Sequence, residues 1–256
     1  MPYYIFIYTT IFIFGAIIGS FMNVLILRLP KKESLLTSSH CTSCGHSLRW
    51  YELIPCISYL ILRGKCKNCR ESISPMYPLV ELGNGFLYMF IFFVKESGNY
   101  GNIPDYATFL YCFMASILIV ISIIDMKTFE IPIELNISIL VIGLIHVGLD
   151  YKNFSQYVIG FFVISVLLYI LYVVSKGAAI GGGDVKLMAV SGLFLGYKDI
   201  FLAFLLGCIL ASIIHIILMR INKAGRVLAM GPYLSLGIFI AMLYGENIWR
   251  WYLSFF

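Results

Sequence analysis

Charge is what this chain has least of. Only 12% of its 256 residues are charged while 61% are hydrophobic, against roughly 25% and about 45–50% in a soluble domain. A wholly water-soluble protein is excluded by that balance, and so is a disordered acidic or basic tail. Also missing are a G-x-G-x-x-G nucleotide loop, any low-complexity segment and any evident internal repeat. The first apolar run, from about Tyr3 to Leu29, has no basic residues before it and exceeds the 7–15-residue core of a signal peptide. It reads as a retained first helix.

What the chain does have is long apolar runs. Further spans fall near 79–95, 106–125, 132–149, 156–175, 186–197, 199–219 and 231–247, so the chain is expected to be an all-α polytopic membrane protein of about eight transmembrane helices. The span at 186–197 is short for a bilayer of about 30 Å, so it must tilt, lie among neighbours or extend into 177–185. With the N-terminus outside, fourteen of the 18 Lys and Arg residues fall on inner segments, and only Lys95, Lys152, Lys198 and Arg250 on outer ones. The positive-inside rule then places both termini outside and residues 30–78 in the cytoplasm. The net charge of +5 reports this topology and contact with membrane lipid headgroups. No nucleic-acid partner is expected.

Residues 30–78 are the only polar stretch long enough for a small subdomain. They carry four of the seven cysteines as Cys41-Thr-Ser-Cys44 and Cys66-Lys-Asn-Cys69, with 21 residues between the pairs. Two Cys-x-x-Cys pairs at this spacing suit one tetrahedral four-thiolate zinc site, and a cytoplasmic setting disfavours disulfides. The expected metal ligands are Cys41, Cys44, Cys66 and Cys69, with zinc in a structural role that supplies most of the loop's folding free energy. His40 and His46 flank the first pair and could replace a cysteine ligand, although the four thiolates already complete the coordination. Cys56, Cys112 and Cys208 read as small hydrophobes, and His146 and His215 as packing residues.

Two carboxylates stand out in the apolar part. Asp125 closes one span, and Asp184 follows Gly181, Gly182 and Gly183 at the start of another. An ionisable group near bilayer depth costs at least roughly 2.5 kcal/mol, so each needs a reason. Two aspartates that face each other suggest acid–base hydrolysis by a dyad sharing one proton. The bland alternative for Asp184 is an N-cap, which leaves Asp125 unexplained. Glu81, at the entry to the second span, reads equally as a solvated helix-entry residue and as a functional carboxylate. Gly15 and Gly19 form a GxxxG that fits close helix packing, within the protein or in a homodimer.

At this point the residues resemble a known family, the type IV prepilin peptidases, which are GxGD-type intramembrane aspartic proteases. The resemblance covers nearly the whole chain: Gly19 to Pro30 at the exit of the first helix, the paired Cys-x-x-Cys loop, Leu48 to Pro55, Leu62 to Cys66 and Ile73 to Glu81. It continues through Ile124-Asp125 with Ile131-Pro132, Gly181 to Ala189, and Gly231 to Gly237. Departures occur at Ile133, Met76 and Ala229-Met230, none at an aspartate. The resemblance implies Asp125 and Asp184 as the catalytic pair, and prepilin or pseudopilin precursors as substrates cut after a glycine at the cytoplasmic face of the inner membrane. It also implies N-methylation of the new N-terminus from S-adenosylmethionine, with 30–78 as the methyltransferase region and no cofactor-binding residue identified. The expected division is 1–29 as first helix, 30–78 as zinc-binding loop and 79–256 as peptidase core.

Two rivals come from other classes. An ion- or proton-coupled transporter with a regulatory zinc loop would also place aspartates in spans. A membrane scaffold docking through its zinc loop would tolerate aspartate-to-asparagine changes.

Overall fold

The computed structural model describes residues 2–41, 43–96, 106–222 and 228–255. Lys223 and Arg226, two of the inner-side charges, lie outside the described residues. Among those residues the elements are helical: α1 (Pro2–Arg28), the short α2 (Ile57–Ile61), α3 (Met76–Glu96), α4 (Tyr106–Thr128), α5 (Ile133–Leu149), α6 (Phe154–Val174), α7 (Gly182–Leu195), α8 (Tyr197–Asn222) and α9 (Gly231–Leu253). The all-α expectation holds.

Each expected span coincides with a helix, but among the described residues five are long and apolar enough to cross a membrane: α1, α3, α4, the stretch containing α6, and α8. α5 has 17 residues, and α9 turns polar and aromatic in its last turns with Glu246, Asn247, Trp249 and Arg250. α7, at 14 residues, is about 21 Å long, short of a hydrocarbon core of about 30 Å. It compensates by burial: Leu187, Met188 and Phe194 are all but inaccessible, and α7 packs against α6, α5, α8 and α9. α6 is the opposite case, apolar all round. Gly160, Ile164 and Leu168 face inward while Phe162, Val166, Tyr169 and Val173 are exposed.

The chain divides into two compact units, Met1–Thr108 and Phe109–Phe256. In the first, α1 packs along α3. A methyl group on Gly15 would meet the Asn84 carbonyl at 2.9 Å, and one on Gly19 the Glu81 Cα at 2.7 Å. The Asn84 amide donates to the Gly15 carbonyl at 2.7 Å, and Asn23 donates to the Tyr77 carbonyl at 3.1 Å. The GxxxG therefore serves a contact within the protein. In the second unit, backbones of α6 and α7 cross at Gly160 and Gly192, where neither position has room for a Cβ.

The loop between α1 and α3 folds on polar contacts. Arg28 is a buried strut, and its guanidinium donates to the carbonyls of Ser34, Thr37 and Ser38 at 2.8–3.2 Å. Among the described residues of 30–75 only Glu52 and Cys66 are buried, so this segment has no apolar core of its own.

Candidate active site and metal centre

Four helix ends meet where the second unit holds its aspartates. Asp125 lies in the last turn of α4 and is buried, 5% exposed. The helix stops at Phe129, which accepts a left-handed φ of 56°, a conformation costly for a bulky residue. The reversal carries Ile131 onto Gly183, where a Cβ would sit 3.0 Å from the Ile131 side chain. Asp184 is inside the first turn of α7, and Gly181 is the N-cap; the capping alternative for Asp184 is therefore overturned. A carboxylate in a first turn suits the positive end of the helix dipole. Of the three glycines, Gly183 is needed for close approach, and a Cβ on Gly181 would lie 3.1 Å from the Asp184 carboxylate.

α9 supplies what the side chains do not. Its first turn opens at Gly231-Pro232, and the Gly231 N–H, one of the donors that every helix start leaves without an internal partner, donates to Asp125 Oδ2 at 2.8 Å. No side chain fits between them, because a Cβ on Gly231 would stand 2.7 Å from the same oxygen. Asp184 lies within electrostatic reach of Asp125. The arrangement brings together a carboxylate held by a helix N-terminus, a second carboxylate nearby, and backbone without side-chain bulk. Sequence reading marked Gly231 only as part of a motif.

In the first unit the four cysteines converge. Their sulfurs all lie within 4.8 Å of one another, with Cys41 and Cys69 at 3.8 Å. A tetrahedral zinc with bonds of about 2.3 Å separates its sulfurs by about 3.8 Å, so the set fits such an ion. None of the seven cysteines is paired. The two pairs are built alike, 25 residues apart. Cys41 N–H donates to the His46 carbonyl and Gly45 N–H to that of Cys41; Cys66 N–H donates to the Glu71 carbonyl and Arg70 N–H to that of Cys66. Bridges His40–Ser47 and Lys65–Ser72 close the two turns, and Gly45 and Arg70 both take positive φ. This is a repeat of backbone pattern that the sequence reading did not register. Backbone N–H groups of Cys44 and Ser43 pull the Cys41 thiol down to about 6, which favours the thiolate a metal takes. His46 turns away from the cysteines to Glu52, at 3.6 Å.

Glu52 is a residue that the sequence gives no reason to single out, whereas Glu81 is one that it does. Glu52 is buried and accepts the Arg49 N–H at 2.8 Å; that bond, and then His46 and Lys67, hold its carboxyl below the usual range. Glu81 is also buried and accepts the Cys56 N–H at 2.7 Å, so it is no solvated helix-entry residue. Burial and Glu81 push the Cys56 thiol up to about 11. Of the three remaining cysteines Cys112 is buried, while Cys56 and Cys208 are half-buried. His146 packs between the rings of Tyr157 and Phe194.

Comparison with known proteins follows this division. Residues 13–94 match the profile described as the bacterial peptidase A24 N-terminal domain, and 112–216 that of the type IV leader peptidase family. Proteins called prepilin leader peptidase/N-methyltransferase are similar over nearly the whole chain. The one from Pseudomonas aeruginosa is 30% identical over 94% of this chain and 91% of its own. Its counterpart in Aeromonas salmonicida is 29% identical over 96% and 94%, and that in Neisseria gonorrhoeae 31% over 94% and 93%. No solved structure matches.

Proposed function

The chain belongs to the type IV leader peptidase family, and from that premise we propose how its residues divide the work. It is a membrane aspartic endopeptidase that removes the leader from type IV prepilin-like precursors, and it N-methylates the N-terminus so exposed. Membership displaces the transporter and scaffold alternatives. Asp125 and Asp184 are the catalytic pair. Asp125, with its Oδ2 bound by the Gly231 N–H, is the ionised member that takes a proton from the attacking water. Asp184 is the protonated member that polarises the scissile carbonyl, since two neighbouring carboxylates do not both ionise cheaply. This is general acid–base hydrolysis without a covalent intermediate. The bond from Gly231 is the observation that carries the assignment, because it fixes Asp125 Oδ2 on a direct N–H donor at a helix start.

Zinc is the metal that Cys41, Cys44, Cys66 and Cys69 would hold. Four thiolates complete its tetrahedron, leaving no open position for chemistry, so its role is structural. The loop's lack of an apolar core supports the same reading. Methyl transfer belongs to the first unit, with S-adenosylmethionine as the group donor. It follows cleavage, because the acceptor amine does not exist until the leader is cut. The charge bias puts 30–78 and both aspartates on the cytoplasmic side of the inner membrane, with the N-terminus outside. Purified protein incubated with a prepilin, with and without S-adenosylmethionine, tests the reading. Product mass should fall by the leader in both cases and rise by one methyl only with the donor. Uncut substrate in both would contradict it.

A further inference from the structure

A cavity of about 390 Å³ lies in the first unit, walled by the exit of α1, both cysteine turns and the start of α3. That size is within the roughly 300–1,000 Å³ of small-molecule sites. Two buried carboxylates line it, Glu52 and Glu81. Glu52 Oε2 is used by the Arg49 N–H and His46, but its Oε1 is buried with no hydrogen-bond partner. A buried carboxylate oxygen left unpaired is costly, and a small rotation of the side chain would turn it into the cavity that Glu52 lines, where a ligand can satisfy it. The nearby cations do not: Arg28 is committed to loop carbonyls, and Lys67 to the Tyr51 hydroxyl at 3.1 Å. Lys31 is an exposed residue of the same cavity. A buried acid inside and a lysine at the rim match an α-amino acid headgroup, ammonium inward and carboxylate outward.

We propose that this cavity binds the amino-acid end of S-adenosylmethionine, with the free Oε1 of Glu52 taking its α-ammonium and Lys31 its carboxylate. The assignment rests on the methyltransferase reading above and adds the site and polarity of the cofactor. The zwitterion separates cofactor from acceptor, because a newly cut pilin N-terminus brings an ammonium with no carboxylate beside it. The cysteine turns form part of the wall through Cys41, Ser43 and Cys66, so the metal loop and the cofactor site are one construction.

Titration calorimetry on the purified full-length protein tests it with two probes. S-adenosylhomocysteine keeps the amino-acid end, and 5′-methylthioadenosine is the same nucleoside thioether without it. Glu52→Gln retains the shape and the Arg49 contact but loses the charge. The expected result is affinity for S-adenosylhomocysteine weakened at least about tenfold, about 1.4 kcal/mol, with methylthioadenosine binding, zinc content and prepilin cleavage unchanged. Glu81→Gln should act in the same direction. S-adenosylhomocysteine affinity within twofold of wild type would overturn the proposal while leaving the methyltransferase standing. So would an unchanged affinity accompanied by a raised KM for pre-cleaved pilin, which would give Glu52 to the acceptor amine. Wild-type protein that neither binds S-adenosylhomocysteine nor methylates pre-cleaved pilin would remove the methyltransferase reading and this site together.

Discussion

Replacing Gly231 by alanine adds one methyl group at the point where α9 holds Asp125. The new Cβ would start 2.7 Å from Asp125 Oδ2, 2.9 Å from Cγ and 3.0 Å from Cβ, whereas ordinary contact begins near 3.4 Å. The carboxylate must retreat by about 0.7 Å from that methyl, and the Gly231 N–H bond, now 2.8 Å, stretches with it. Asp125 cannot move freely, being 5% exposed in a helix whose neighbours Ile121 and Ile124 are also buried. A misplacement of this order at a catalytic group costs about 10²-fold in rate, or about 2.7 kcal/mol of barrier. Alanine at the first position of a helix is otherwise well tolerated, so the protein should accumulate normally. Cleavage of a prepilin in detergent, followed by product mass and normalised to protein, should show kcat down about a hundredfold with KM little changed. A rate within threefold of wild type would refute the claim that this backbone contact sets the position of Asp125.

Metal analysis of freshly purified protein should find about one zinc per chain. Cys66→Ser should make residues 30–78 protease-sensitive before the second unit loosens, and protein free of zinc would reject the site. A cysteine engineered at position 35 should react with impermeant thiol reagents only from the cytoplasmic side; labelling from outside would invert the topology.

Chemistry carried by side chains was legible in the sequence. Asp125, Asp184 and the four cysteines stand out by residue type, by spacing and by being out of place; the structure gathers the four sulfurs within 4.8 Å and buries Asp125 at the end of α4. Chemistry carried by the backbone was not. The Gly231 donor has no side-chain signature, so only the docking of α9 against α4 reveals what the Gly-Pro start is for. Glu52 reads as one more loop acid until folding buries it beneath the knuckle that presents His46. The repeat of the two cysteine turns was hidden because Arg70 stands where the first turn has Gly45, although both take positive φ. The helices lie at their expected places, and of the three options that the short 186–197 span left open the structure takes two, since α7 begins at Gly182, ahead of its apolar run, and is sheltered by its neighbours.

The central claim is that Asp125 and Asp184 form one catalytic pair, and single asparagine substitutions test it most directly. Asn keeps the size of each side chain and removes its part in the shared proton, so Asp125→Asn and Asp184→Asn should each accumulate in the membrane, hold zinc, and leave a prepilin at its full mass. Asp125→Asn protein should still add a methyl group to pre-cleaved pilin, because methyl transfer is proposed for the first unit. Leader removal at the wild-type rate by either variant would contradict the account.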